Sequence, residues 1–129
     1  MSANKGPLAG IRVLDLGRHI SCPTCGMTLG DLGAEVIKVE KCGWGDDTRH
    51  SGETYNGVNL YYPTENRNKK SVTINFRSEK GKSLLHQLIE KSDVIIENFR
   101  PGTMKKMGLG WEDIHKINPK IIMASINGY

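Results

Sequence analysis

The chain has 129 residues, 37% of them hydrophobic and 6% aromatic, so it supports one modest core built mainly from Leu, Ile and Val. Its formal net charge of +4 suits an anionic ligand. With no Lys/Arg run and no basic-aromatic ladder, that charge is too small to argue for nucleic acid, and no apolar run approaches the roughly 20 residues of a membrane span.

In chain order, short β-branched segments bounded by turn residues predict strands at 11–16, 35–40, 71–76, 93–97 and 120–126. Helix signals fall between them. Pro23 suits a first turn and Gly33 the left-handed position after the last, with Cys25, Leu29 and Leu32 on one face between. The stretch 41–70 is rich in Gly, Asp and Asn and predicts a long loop with one helical stretch around 59–62. Ser78 is a good N-cap for a helix whose stripe is Leu84, Leu85, Leu88 and Ile89. Two short helices are predicted at 102–107 and 111–117, with Trp111 as a packing anchor and Pro119 as a stop. Strands alternating with helices require right-handed crossovers. The expected fold class is therefore α/β, a Rossmann-like open parallel sheet with helices on both faces, in a single domain over 1–129.

Ligands of such sheets bind outside the carboxyl ends of the strands. Arg18 and His19 follow the first strand, Lys41 the second, Arg77 the third, and Asn98, Phe99 and Arg100 the fourth. This cluster fits a ligand with several phosphates. Basic residues also follow strands because loops are solvated, and spacing alone does not decide between the two. One charge-assisted hydrogen bond contributes roughly 1.5–3 kcal/mol and micromolar binding needs about 8 kcal/mol, so the cations would have to act together.

Other clusters point elsewhere. Glu40 stands where a dinucleotide fold places its ribose-binding acid, but the turn 17–22 lacks G-x-G-x-x-G, which argues against NAD. Cys22 and Cys25 open a helix with C-x-x-C spacing, the arrangement of a thiol redox protein. His19, Cys22, Cys25 and Cys42 lack a second close ligand pair, so no metal site is expected. The segment 46–49 reads as a solvated polar lid or an Asx-turn, and 66–71 as a solvated turn with a lysine pair. His50, His86 and His115 show no partner. Three cysteines without a disulfide framework, and a start without a signal core, make the cytoplasm the expected compartment; mitochondria stay open if a presequence precedes this chain.

Blocks at 10–16, 31–40 (DLGAEVIKVE), 45–49, 66–71, 93–102 (ending NFRPG) and 118–129 agree in order and spacing with the class III CoA-transferases, the family of formyl-CoA transferase and α-methylacyl-CoA racemase. The chain resembles the N-terminal portion of that family, an incomplete large domain. The resemblance implies coenzyme A or an acyl-CoA as substrate, a small carboxylic acid as second partner, and a homodimer. In that family an aspartate attacks the thioester and passes through an aspartyl-CoA intermediate. It lies beyond Tyr129, so this chain alone is expected to be inactive. Carried over by motif, the CoA contacts fall on Ile20, Ser21, Lys41, Ile74, Asn75, Phe76, Arg77, Asn98, Phe99, Arg100 and Lys106. Ile20 replaces a glutamine of formyl-CoA transferases, which argues against oxalate as acceptor. Blocks 45–49 and 66–71 lean toward the dicarboxylate branch. The alternatives are a non-catalytic nucleotide- or CoA-binding or dimerisation module, and a thiol redox protein using Cys22 and Cys25.

Overall fold

Strict alternation of side chains fixes which elements cover which face of the sheet. The computed structural model describes residues 6–128; the chain start inspected for a presequence and Tyr129, which closes the last sequence block, lie outside them. The elements run β1 (Arg12–Asp15), α1 (Ser21–Asp31), β2 (Glu35–Glu40), a 3-10 turn (Asp47–His50), β3 (Thr54–Tyr55), β4 (Val58–Asn59), α2 (Tyr61–Asn66), β5 (Lys69–Thr73), α3 (Glu79–Glu90), β6 (Val94–Glu97), α4 (Thr103–Lys106), α5 (Trp111–Ile117) and β7 (Ile122–Ser125). Five strands form one sheet in the order β5-β2-β1-β6-β7, every neighbour parallel. Counted along the chain, the sheet strands lie 3-2-1-4-5, the order of a doubly wound fold. The order reverses between β1 and β6, and there a crevice opens at the carboxyl edge.

On one face Leu14, Leu16, Val39 and Ile95 pack against Leu85 and Ile89 of α3 and Ile114 of α5. On the other, Val13, Val36 and Ile96 meet Cys22, Cys25 and Leu29 of α1. Helix α3 starts where Ser78 Oγ accepts from the Gly81 amide at 3.0 Å, and its buried pair Leu85 and Ile89 is spaced i, i+4. Leu84, on the same predicted stripe, is exposed. After α1 the chain reverses through Gly33 at φ 101, as its position predicts. Among the described residues, no helix is long and apolar enough to cross a membrane.

Three expectations need correction. The third sheet strand begins at Lys69 rather than 71 and stops at Thr73, because Val36 pairs with Lys69 in register. Its first lysine looked like a solvated turn residue, yet that side chain is 1% exposed and carries its own counter-ion. Between 41 and 70 the chain forms a 3-10 turn, the β3–β4 hairpin and α2, which runs over Tyr61–Asn66 rather than 59–62. Trp111 is 50% exposed and leans on His115 with ring centroids 4.8 Å apart; Ile114 anchors α5 instead.

Ser78→Ala is expected to cost about 1 kcal/mol through the lost cap, and Ile89→Ala roughly 2–5 kcal/mol through the cavity it leaves. Chemical denaturation checks both. Equal losses for the two variants would mean that α3 is not held by its buried face.

Candidate functional site

At the carboxyl edge, Asn98 ties the loop after β6 to the loop after β1. Its Oδ1 accepts from the Arg18 amide at 2.8 Å, while its Nδ2 donates to the Arg18 carbonyl at 2.8 Å and to Ser21 Oγ at 3.3 Å. The Arg18 guanidinium lies 5.7 Å from the Phe99 ring centroid. A groove of about 380 Å³ opens beside this junction, lined by Arg18, Lys41, Cys42 and the run Ile74, Asn75, Phe76 and Arg77. Asn75 Oδ1 accepts from the Arg77 amide at 3.0 Å, which sets the turn that carries the guanidinium. A second groove of about 490 Å³ includes Ser21, Asn98, Phe99 and Arg100. Phe99 and Arg100 also border a third hollow, of about 420 Å³, against α4 and α5.

The structure thus gathers Lys41, Ile74, Asn75, Phe76 and Arg77 in one groove and Ser21, Asn98, Phe99 and Arg100 in the next. Ile20, 54% exposed, and Lys106 line neither. Among the described residues, Arg18, Lys41, Arg77 and Arg100 have no ion-pair partner. His19, which follows the same strand as Arg18, turns toward Asp47, with Nε2 4.0 Å from Oδ2.

Behind the groove, on the α1 face, lies a buried charge network that sequence reasoning missed. Lys38 Nζ sits 2.9 Å from Asp46 Oδ2, 3.9 Å from Asp15 Oδ2 and 2.9 Å from the Gly17 carbonyl. Lys69 Nζ donates to Asp15 Oδ2 at 2.8 Å, the Pro23 carbonyl at 2.7 Å and Asn66 Oδ1 at 2.9 Å. A Cβ at Gly26 would come within 2.9 Å of Asp15 Oδ2, so the smallest residue lets α1 lie on this pair. Glu40 accepts from Arg49 Nε and Nη2 at 2.7 Å each, the Asp46 amide at 2.8 Å, Tyr62 Oη at 2.9 Å and Ser71 Oγ at 2.6 Å. Arg49 also stacks on the Tyr62 ring, 3.6 Å from its centroid. Burial alone would raise the Glu40 pKa; the donors from Arg49, Ser71, Asp46 and Tyr62 outweigh it and hold the carboxyl at about 2.

The segment 46–49 is therefore not a solvated lid. Asp46 is buried and forms the predicted Asx-turn, its Oδ1 accepting from the Thr48 amide at 2.9 Å. The available signal was a charge inside each of two strands of a parallel sheet: Asp15 and Lys38 occupy positions that face a covering helix and require partners. His50 also has a partner after all, Trp44, with ring centroids 4.0 Å apart and Nε2 2.8 Å from the carbonyl.

Cys22 and Cys25, the pair that opens α1, carry the shift opposite to that of a low-pKa thiol pair. Burial pushes the Cys22 thiol well up, and Asp15, which accepts from Sγ at 3.5 Å, pushes it further. Burial and Asp15 also raise Cys25. A redox thiol needs the opposite shift. Among the described residues no group of three or more His, Cys, Asp or Glu side chains is arranged to hold a metal ion.

A doubly wound sheet defines an open α/β protein, here with cations at its carboxyl edge that have no ion-pair partner among the described residues, and comparison with known proteins narrows the class. Residues 8–129 match CoA-transferase family III, and the chain belongs to that family. It is 50% identical over 98% of its length to succinyl-CoA:glutarate CoA-transferase of Homo sapiens, covering 29% of that protein. It is 47% identical over 95% of its length to formyl-CoA:oxalate CoA-transferase of Afipia carboxidovorans, again covering 29%. A solved CAIB/BAIF family protein from Brucella suis superposes with a TM-score of 0.88 at 43% identity, over 96% of this chain and 34% of that one. The chain spans about a third of the length of the relatives it matches.

The Glu40 shift sets a pH window. A carboxyl held at about 2, against an ordinary value of 4.5, stabilises the fold above pH 4.5 and loses that contribution as pH falls from 4.5 toward 2. The loss is on the order of 3 kcal/mol. Glu40→Gln is expected to flatten the decline of Tm over this window; an unchanged acid profile would contradict the buried clamp.

Proposed function

We propose that this chain forms the CoA-binding part of a CoA-transferase that moves CoA from an acyl-CoA donor to a small carboxylic acid. The observation that carries the reading is the set of cations around the carboxyl-edge grooves, Arg18, Lys41, Arg77 and Arg100, which have no ion-pair partner among the described residues. CoA carries several phosphates and a purine. The cations suit the phosphates, while Ile74, Phe76 and Phe99 supply apolar and aromatic wall for the base. Glu40, the acid that ends the second strand where a dinucleotide fold binds its ribose, is consumed by five donors, which favours CoA over NAD.

The reaction in this reading is acyl exchange through an enzyme carboxylate. An aspartate attacks the thioester carbonyl, forming a mixed anhydride and releasing CoA thiolate. The thiolate then attacks the aspartyl carbonyl and expels the donor acid. The acceptor acid reverses both steps to leave as its own CoA thioester. The buried carboxylates around the carboxyl edge make poor nucleophiles. Asp15, Glu40 and Asp46 are held in buried ion pairs, and Glu97 Oε2 accepts from the Phe99 amide at 2.8 Å. These contacts support the reading in which a homodimeric enzyme of the family type draws its nucleophilic aspartate from outside the described residues.

A dicarboxylate longer than oxalate is the favoured acceptor. Both relatives' names pair a CoA thioester with an acid, and identities of 50% and 47% do not separate them. Blocks 45–49 and 66–71 do not separate them either, because Asp46, Arg49 and Lys69 in them serve the ionic network rather than the grooves. The preference rests on Ile20, exposed just before α1, where an apolar side chain replaces an amide.

In calorimetry, Arg77→Ala and Arg100→Ala are each expected to weaken CoA binding by roughly 1.5–3 kcal/mol, with Tm little changed because both are exposed. NAD is expected to bind more weakly than CoA. Unchanged CoA affinity in both variants, or tighter NAD binding, would overturn the reading. Purified 1–129 is expected to show no turnover with succinyl-CoA and a dicarboxylate; turnover abolished by Glu97→Gln would relocate the nucleophile.

A further inference from the structure

We infer that Arg49 and Glu40 are positioning residues for Lys41: their clamp, buried at the carboxylate and open to solvent at the guanidinium, fixes the turn that presents this lysine to the groove. The inference rests on the CoA-binding reading above and adds residues that touch no ligand.

The turn is short and glycine-rich. Lys41 directly follows the last residue of β2, and its carbonyl accepts from the Gly45 amide at 2.8 Å and the Trp44 amide at 3.4 Å. Gly43 and Gly45 both have positive φ, 75 and 78, so the turn has little stiffness of its own. Its stiffness comes from β2. Lys38 grips the Asp46 side chain at 2.9 Å, and Glu40 grips the Asp46 amide at 2.8 Å and the Arg49 guanidinium at 2.7 Å. Both ends of the turn are thus fastened to one strand through side chains that are nearly or wholly buried on the strand side. Tyr62 and Ser71 donate to the same carboxylate from α2 and β5, so the clamp is braced by two further elements.

Lys41 itself is exposed, lines the groove beside Arg18 and Arg77, and has no ion-pair partner among the described residues. A flexible ammonium gains most for a phosphate when its backbone is already placed. Gly45 bears on the clamp directly. A Cβ there would stand 2.7 Å from Arg49 Cδ and 2.9 Å from Glu40 Oε2, so any side chain pushes the guanidinium and carboxylate apart.

The test is a double-mutant cycle on the full natural chain, with CoA affinity read by calorimetry and folding by thermal denaturation. Arg49→Lys keeps the charge and loses the two-pronged contact. Gly45→Ala disturbs the clamp without removing any charge. Each is expected to weaken CoA binding roughly tenfold in the parent and to have little further effect once Lys41→Met is present. Arg67→Ala, which breaks an exposed ion pair with Asp31 away from the groove, is expected to leave CoA affinity unchanged. Equal losses with and without Lys41 would overturn the inference, as would unchanged affinity in both clamp variants. Failure of both to fold would assign the network to the fold alone and also overturn it. If Lys41→Met by itself leaves CoA affinity unchanged, the CoA groove is misassigned at this residue and the inference falls with it.

Discussion

A carboxylate taken out of water costs several kcal/mol unless donors replace its hydration, and Glu40 is the place where this chain meets that requirement most fully. Its donors come from the turn after β2, from the 3-10 turn, from α2 and from β5, segments spread over 32 residues of sequence from Glu40 to Ser71. Asp15, shared by Lys69 and Lys38, extends the same arrangement to β1. The α1 face of the sheet therefore carries a smaller apolar cluster than the α3 face, and ionic contacts fill the difference. Such a network adds little net stability over an apolar core. What it does fix is pairing: three acids, Asp15, Glu40 and Asp46, meet three bases, Lys38, Lys69 and Arg49, in one register.

That balance organises the charge of the whole domain. Bases inside the network are neutralised by their partners, while Arg18, Lys41, Arg77 and Arg100 just beyond the strand ends have none among the described residues. The sequence reports only a mild positive excess; the structure shows that a good part of it sits at the carboxyl edge, where an open parallel sheet binds ligands. Asn98 completes the edge by fastening two loops across the point where strand order reverses, so that the grooves have a fixed wall rather than a gap between loops.

Much of this was legible in the amino-acid sequence, for physical reasons that differ by element. The strand at Glu35–Glu40 and the helix at Trp111–Ile117 coincide with their predicted bounds, because turn residues stop them on both sides. Ser78 announced its helix through a local hydrogen bond that needs no tertiary context. The gathering of Lys41 and Arg77 beside Arg18 was legible because strand ends alone place them. Lys69, Asp46 and Tyr62 were not. Each is polar and lies in a stretch that reads as solvated, and only long-range partners make burial tolerable. Trp111 misled in the opposite sense: its size argued for the core, yet its neighbour Ile114 occupies the inward position. The hairpin at 54–59 has only two residues per strand and leaves no alternation to detect.

The central claim is that the unpaired cations at the carboxyl edge hold the phosphates of CoA. A crystal structure of the full natural chain with CoA bound tests it most directly. The account predicts CoA phosphate oxygens within hydrogen-bond distance of Lys41, Arg77 and Arg100, with Glu40 still clamped to Arg49 behind them. CoA bound elsewhere on the molecule, with these three side chains still in contact with solvent alone, would contradict it.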